Sequence, residues 1–163
     1  MPEIPKISKI LYATDLGKHT RPVFMHALAQ AEINNASVIV LHIVEPISDT
    51  TQAVIDTYLS ETDIVRVQKD GMQKVLKYMK KRIDTFLQEE CGGKSLESVP
   101  IKEIIVVAGR PSEEILRVAE EKEVDMIVIG KSSRKVRGSK VMGSTTRRVN
   151  RLSLVPVLMV PNQ

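Results

Sequence analysis

The chain has 163 residues, of which 42% are hydrophobic and 27% are charged, and its formal net charge is +4. This length suits one domain with a sizeable core, and no apolar run approaches the roughly 20 residues that a membrane-spanning helix needs. Pro2, Glu3 and Pro5 interrupt the start of the chain, so no signal-peptide pattern is expected there. A lone cysteine, Cys91, excludes an internal disulfide and fits a reducing compartment.

The first quarter of the chain alternates strands with a helix. Lys9–Thr14 and Ser37–Ile43 are apolar runs rich in branched residues, which predict strands. Between them, Thr20 is a good N-cap, and Pro22 suits the first turn of a helix that runs to about Asn34. A strand, a helix and a second strand predict a right-handed parallel crossover.

The middle of the chain is dominated by one long helix. Residues 45–60 are rich in Pro, Ser, Asp and Thr and predict a loop, with a helical turn in Gln52–Leu59. From about Glu61 to Glu90 an apolar stripe recurs at helical spacing, and Gly92 and Gly93 end the helix. The stripe consists of Met72, Val75, Leu76, Met79, Ile83 and Phe86.

The remaining elements continue the alternation. The apolar runs Ile101–Ala108 and Val124–Gly130 predict the third and fourth strands. Between them we expect a helix over Glu113–Glu121, with Ser112 as its N-cap. A basic loop and a short helix precede the fifth strand, Val157–Val160. We therefore expect one α/β domain over residues 1–163. Its fold would be a Rossmann-like, doubly wound parallel sheet of five strands in the order 3-2-1-4-5, with helices on both faces.

The segment between the last two strands has the features of an anion site. Gly130 ends the fourth strand, and Gly143 opens a helix that Ser144 or Thr145 can cap. Free amides and the helix dipole favour negative charge at such a start. No acidic residue follows Asp125, so the segment is strongly basic, although a solvated charged face is the simpler explanation. The basic residues are Lys131, Arg134, Lys135, Arg137, Lys140, Arg147, Arg148 and Arg151.

A ligand crevice is expected where the carboxyl ends of the first, second and fourth strands meet. Asp15 is the only carboxylate that the sequence places at those three strand ends, and it could accept hydrogen bonds from a base or a ribose. The alternative is that Asp15 only turns the chain before the helix.

Several familiar sites are excluded by spacing. The chain lacks the Walker-type phosphate loop and the dinucleotide fingerprint. His19, His26 and His42 do not cluster in sequence, and no metal-ligand spacing is present, so we predict no catalytic residue and no protein-held metal.

The glycine spacing resembles that of the universal stress protein family. Gly130 is followed by two residues, Ser133, nine residues and then Gly143-Ser144. Nucleotide-binding members of that family carry glycine at the position of Ser133. The resemblance covers nearly the whole chain, through ILYATDLG, VLHIVEP, VVAGRPSEEILRVAEEKEVDMIVIG and VPVLMVP. It implies a cytoplasmic, commonly dimeric protein from a family that has ATP-binding and non-binding groups.

The resemblance also implies roles for particular residues. Asp15 and the backbone at Ile43 would hold an adenine, and Ala13, Thr14 and Gly130 would line the ribose side. The phosphates of ATP, AMP or ADP would contact Ser133, Gly143, Ser144 and Thr145. A bound triphosphate would bring its own Mg²⁺. Serine at 133 permits a positive φ less readily than glycine does, although its hydroxyl could donate to a phosphate.

Four functions remain open at this stage. The first is a regulatory module that binds an adenine nucleotide without efficient catalysis, because no general base stands beside the predicted phosphate end. The second is a slow ATP hydrolase that uses Ser144 or a metal-held water. The third is a stress-response dimer that has lost its nucleotide, which Ser133 would support. The fourth, a nucleic-acid binder, is disfavoured because only 3% of residues are aromatic.

The sequence of the fifth strand also predicts that the chain forms a homodimer. Val155–Pro161 is apolar almost throughout and would lie at one end of the strand order. Since an exposed edge strand presents unpaired amides and carbonyls, we expect Val157–Val160 to pair with its own copy in a homodimer.

Overall fold

The computed structural model describes residues 2–15, 17, 19–90, 92–132, 135, 136 and 139–162. The strands are β1 Lys9–Thr14, β2 Ser37–Val44, β3 Ile101–Ala108, β4 Met126–Gly130, β5 Lys135–Val136, β6 Ser139–Lys140 and β7 Val157–Val160. Five of them form a parallel sheet in the order β3-β2-β1-β4-β7. The predicted α/β fold and its strand order are therefore confirmed.

The described residues form five α-helices. They are α1 Arg21–Asn34, α2 Asp49–Tyr58, α3 Glu61–Glu90, α4 Pro111–Glu121 and α5 Ser144–Leu152. Of these, α1, α3, α4 and α5 cover the two faces of the sheet. Successive side chains of a strand point to opposite faces of its sheet. Ile10 and Tyr12 accordingly pack in the core beneath α1 and α3, whereas Leu11 and Ala13 pack in the core beneath α4 and α5. Within the described ranges, no helix is both long and apolar enough to cross a membrane.

The register of the sheet brings three strand ends to one edge. Thr14 at the end of β1 pairs with His42 in β2, and Ala13 pairs with Ile129 in β4. All three strands are parallel, so the residues that follow them emerge on the same side of the sheet. This is the arrangement that the crevice prediction required.

Two segments contain more regular structure than the sequence predicted. Residues 49–58 form a complete helix, α2, rather than a loop with one turn. Ser48 caps it, because its side-chain oxygen accepts a hydrogen bond from the Thr51 amide at 3.3 Å. The basic loop contains a small antiparallel hairpin, in which β5 pairs with β6.

Thr20 occupies the predicted N-cap position of α1 but makes no side-chain cap hydrogen bond, and the predicted cap at Ser112 is wrong. Thr20 precedes α1 with a helical backbone, and its hydroxyl donates to the carbonyl of Gly17 at 3.1 Å instead of capping the helix. Helix α4 begins at Pro111, so Ser112 lies buried inside the first turn and Arg110 occupies the cap position. Proline at the first helical position is favourable because its missing N–H would be unpaired there anyway.

Candidate functional site

A cavity of about 640 Å³ opens at the carboxyl ends of the strands. Its walls come from the ends of β1, β2 and β4 and from the first turns of α4 and α5. Small-molecule sites typically have volumes of about 300–1,000 Å³, so the cavity is large enough for a ligand of nucleotide size.

The cavity collects nearly all the site residues that the sequence predicted. Eight of the nine line it, and the ninth, Ser133, lies outside the described residues. The eight are Ala13, Thr14, Asp15, Ile43, Gly130, Gly143, Ser144 and Thr145. They come from four separate segments of the chain, so the topology of the sheet is what brings them together.

Helix α5 begins at the cavity wall without a side-chain cap. The predicted cap by Ser144 or Thr145 is wrong, because Ser144 is the first helical residue and Gly143 occupies the cap position. Glycine has no side chain with which to satisfy the amides of the first turn. The amide of Gly143 itself donates to the carbonyl of Lys131 at 2.9 Å, which fixes the loop against the start of the helix. The first turn of α5 is therefore suited to an anionic ligand.

Gly143 leaves open space at this helix start. Its backbone, with φ −61° and ψ 151°, is one that any residue can adopt. A Cβ added there would meet its nearest atom, the carbonyl oxygen of Lys131, at 3.8 Å, which is ordinary contact. Neither strain nor packing therefore requires glycine at this position. What glycine does is keep the space beside the α5 amides clear, as a bound phosphate would need.

Gly130 is required for a different reason, which involves Asn162. A Cβ on Gly130 would stand 2.5 Å from Nδ2 and 2.8 Å from Oδ1 of the Asn162 side chain. That side chain is buried, accepts a hydrogen bond from the Ser132 amide at 3.1 Å, and donates to the carbonyl of His19 at 3.4 Å. Asn162 thus ties the loop after β4 to the loop after β1. Sequence reasoning missed it, because it follows the last strand in a tail that carries no motif.

Asp15 lies at the rim of the cavity in an exposed position. Its Oδ1 accepts a hydrogen bond from the Gly17 amide at 2.8 Å, which is an Asx-type turn. The Gly17 carbonyl in turn accepts from Arg82 Nη2 at 2.9 Å and from the Thr20 hydroxyl. Asp15 therefore turns the chain, as the simpler explanation proposed, and it also lines the cavity.

The β2 side of the cavity adds groups that the sequence analysis did not include. Glu45 follows β2 and lines the cavity, so Asp15 is not the only carboxylate at these strand ends. Nδ1 of His42 lies 2.9 Å from the carbonyl oxygen of Thr14, which joins β2 to the end of β1. The predicted adenine contact, Ile43, is buried beside them.

Tyr12 forms part of the cavity floor. Burial raises the pKa of Tyr12 to about 12, and its hydroxyl donates to the carbonyl of Thr20 at 3.4 Å. The side chain is therefore a neutral donor at physiological pH. Among the residues with described positions, no group of three or more His, Cys, Asp or Glu side chains could hold a metal ion.

The chain resembles known proteins over almost its full length. The model of the "Universal stress protein family" matches residues 6–161. Universal stress protein YxiE of Bacillus subtilis is 33% identical over 155 residues, which cover 94% of this chain and 98% of that protein. Universal stress protein MJ0577 of Methanocaldococcus jannaschii is 29% identical over 160 residues and covers 93% of each chain.

Solved structures agree with this result. The structure of MJ0577 superposes with a TM-score of 0.66 at 26% identity and covers 98% of this chain and 99% of that chain. A universal stress protein solved in complex with cAMP superposes with a TM-score of 0.61 at 19% identity, over 98% of this chain and all of that chain, and shows the same fold. With a family model that spans nearly every residue, and with the sheet order and glycine spacing described above, the chain belongs to the universal stress protein family.

Proposed function

We propose that this protein binds an adenine nucleotide, with ATP as the leading ligand, and acts as a regulatory module rather than as an efficient enzyme. The observation that carries the proposal is the two-sided cavity. The exposed carboxylate of Asp15 and the buried β2 strand end lie on one side, and the uncapped start of α5 lies on the other.

The dimensions of the sheet support one orientation of the ligand. Strand β1 lies between β2 and β4, and neighbouring strands are about 4.8 Å apart, so the two sides of the cavity are separated by roughly 10 Å. The base would lie beside Asp15 and Ile43, and the phosphates beside Gly143 and the first turn of α5. Gly130, at the end of β4, would face the ribose.

Charge supports the same orientation. Lys131 directly follows β4, between the lining residues Gly130 and Ser132, whereas the lining carboxylates Glu45 and Asp15 lie on the β1 and β2 side. The positive dipole end of α5 adds to the favourable potential for phosphate. The chain therefore offers a cationic end for phosphates and a carboxylate end for a base.

The relatives are consistent with this proposal. One chain of the same fold was solved in complex with cAMP, which is an adenine nucleotide. The fold can therefore hold this class of ligand at least in that protein. The proposal for the present chain depends on its own cavity and on the residues that line it.

The chemistry of the cavity favours binding over hydrolysis. Near the start of α5, the cavity is lined by hydroxyl side chains, which are neutral donors and acceptors: Ser132, Ser144, Thr145 and Thr146. A general base must lie within hydrogen-bond reach of the attacking water, and the two lining carboxylates lie at the opposite end of the proposed ligand. If a triphosphate brings Mg²⁺, the ion would neutralise phosphate charge, and the chain itself would contribute these hydroxyls and amides.

The test is calorimetric titration of the purified chain with ATP and Mg²⁺, repeated with Gly143→Val. The parent should bind. The variant should lose binding while keeping its thermal stability, because a branched side chain would occupy the space beside the α5 amides. Gly71→Val is the matched control, since a Cβ on Gly71 meets nothing within 4 Å and that residue lies away from the cavity on α3. No heat and no thermal shift with the parent at millimolar ATP would disprove the proposal.

A further inference from the structure

A second cavity lies between α1 and α3, on the other side of the sheet from α4 and α5. We call it the α1–α3 cavity; its volume is about 680 Å³, within the range of small-molecule sites. Its floor includes Val40 of β2 and Met79 of α3, which are both fully buried. This space lies outside the proposed nucleotide site, although the two cavities share Tyr12, Thr14 and Thr20 as lining residues.

Aromatic residues are concentrated around the α1–α3 cavity. The chain holds two phenylalanines and three tyrosines, and four of these five residues line it. The Phe24 ring centroid lies 5.5 Å from that of Tyr12 and 5.1 Å from that of Phe86, so three rings form a continuous cluster. Tyr78 is 57% exposed and Phe86 is partly exposed. Part of this aromatic surface is therefore open to a ligand rather than packed in the core.

The charge around the cavity is positive. Arg21, Lys81 and Arg82 line it, and Glu89 is the acidic residue among the lining positions that the structure describes. The guanidinium carbon of Arg21 lies 5.3 Å from the centroid of the Phe86 ring, in a cation–π contact. An apolar, ring-lined floor beneath three cationic side chains matches a ligand that is apolar at one end and anionic at the other.

We propose that the α1–α3 cavity binds a small organic anion that has an aromatic body and one carboxylate or similar head group. The aromatic body packs on the exposed surfaces of Tyr78 and Phe86, where offset or edge-to-face contacts are favourable. The head group meets Lys81 on α3 at the cavity rim. The adjacent Arg82, whose Nη2 already donates to the Gly17 carbonyl at 2.9 Å, adds positive charge beside it. A carboxylate accepts charge-assisted hydrogen bonds from such cations.

The probe for this site is 2-naphthoate, titrated into the full chain and followed by calorimetry, with uncharged 2-naphthamide as the matched ligand. The naphthoate should bind about tenfold more tightly than the amide, because hydrogen bonds to charged groups are roughly twice as strong as neutral ones. Equal affinity for the two compounds would overturn the proposal, since the cations would then contribute nothing. The titration uses no nucleotide, and variants of a lysine that lines only the α1–α3 cavity distinguish this site from the proposed nucleotide site.

Substitutions of two neighbouring lysines test whether 2-naphthoate binds in the α1–α3 cavity. Lys81→Gln should weaken 2-naphthoate binding by about tenfold, because it removes one charged partner. Lys80→Gln is the control, since Lys80 precedes it on α3 and is exposed but does not line the cavity. Equal losses in the two variants would show only a general effect of net charge and would contradict the site. Decanoate tests the body of the ligand, and binding of decanoate without binding of 2-naphthoate would refute the aromatic assignment.

Discussion

Gly130 has no side chain, and the Asn162 amide occupies the space that a Cβ at that position would take. Adding a methyl group at Gly130 would push the Asn162 amide out of its place, which breaks its hydrogen bonds to Ser132 and His19. We expect Gly130→Ala to lower the free energy of unfolding by about 1–3 kcal/mol, the cost of leaving buried polar groups without partners. Chemical denaturation of the variant and the parent measures this difference.

A double-mutant cycle tests whether the contact with Asn162 causes the loss of stability in Gly130→Ala. In an Asn162→Ala background the amide is gone, so Gly130→Ala should cost measurably less than it does in the parent. Gly143→Ala serves as a control glycine, because its Cβ would make only ordinary contacts and should leave stability nearly unchanged. If the cost of Gly130→Ala were the same in both backgrounds, a different contact of Gly130 would be responsible.

The raised pKa of Tyr12 predicts that the protein loses stability at alkaline pH. Its pKa is about 12 in the folded chain, because burial disfavours the phenolate, whereas an unfolded tyrosine has its ordinary value near 10. The folded state therefore holds this proton more strongly. The resulting stability is fully present below pH 10 and is lost as the pH rises from 10 to 12.

Comparison with Tyr12→Phe isolates this effect from other titrating groups. Two pKa units correspond to roughly 2–3 kcal/mol, so the parent should lose that much more unfolding free energy than the variant between pH 10 and pH 12. Urea denaturation at a series of pH values provides the measurement. Parallel pH profiles for the two proteins would mean that Tyr12 does not contribute.

At the scale of elements, Thr146 connects α5 to the sheet. Its buried hydroxyl donates to the carbonyl of Gly130 at 2.7 Å, so the start of the helix is fixed to the end of β4. Thr146→Val keeps the shape and removes the donor. We expect a loss of about 1–2 kcal/mol in unfolding free energy and weaker ATP binding, since the α5 amides would no longer be held in place.

The neighbouring residue supplies the control for that prediction. Thr145 is partly exposed on the same turn, and Thr145→Val should leave the unfolding free energy within about 0.5 kcal/mol of the parent. Denaturation compares the stability of the two variants. Calorimetry compares the ATP affinity of Thr146→Val with that of the parent only, since Thr145 itself lines the proposed phosphate end. A Thr146→Val protein as stable as the Thr145→Val protein would rule out the anchoring role.

The elements also show which parts of the fold the sequence determines locally. Strands β1, β3 and β7 have the predicted bounds, because short runs of branched apolar residues favour strands. Helix α2 was predicted only as a turn, since it buries no residue and so has no apolar stripe to detect. The predicted caps do not form for local reasons. The Thr20 hydroxyl donates to the nearby Gly17 carbonyl, and α4 and α5 begin at or before the residues that were expected to cap them.

The sequence predicted those residues of the candidate site that belong to a recognisable motif. Asp15, Gly130 and Gly143 were found because strand ends and glycine spacing point to them. Asn162 was not found, since its role depends on contacts with residues 30 and 143 positions earlier in the chain. Such contacts appear only after the sheet has brought those segments together.

At the scale of the whole molecule, the two outer strands of the five-stranded sheet differ in chemistry. Strand β3 at one edge carries Lys102 and Glu103, and Glu103 forms an ion pair with Lys122 at 3.0 Å. Charges on an edge strand discourage pairing with another chain. Strand β7 at the other edge has the sequence Val-Leu-Met-Val and carries no charge. The sheet is therefore protected at one edge and suited to pairing at the other.

The backbone of β7 identifies the groups that would pair with a second copy. The Ile127 amide donates to the carbonyl of Pro156, and the Lys131 amide donates to the carbonyl of Val160. Because backbone groups alternate in direction along a strand, Leu158 also faces β4, whereas Val157 and Met159 direct their N–H and C=O groups to the open edge. These outward groups are the ones an antiparallel copy would use in a two-fold homodimer.

Met159→Pro tests the dimer with little damage to the sheet. Proline would remove only an outward-facing donor, so the β4–β7 hydrogen bonds should remain, and proline is tolerated on edge strands for this reason. We expect the parent to sediment as a dimer at micromolar concentration and the variant to sediment as a folded monomer. Met142→Pro, in the loop before α5, is the control and should remain dimeric. A monomeric parent would disprove the prediction, and a dimer unaffected by Met159→Pro would place the interface away from β7.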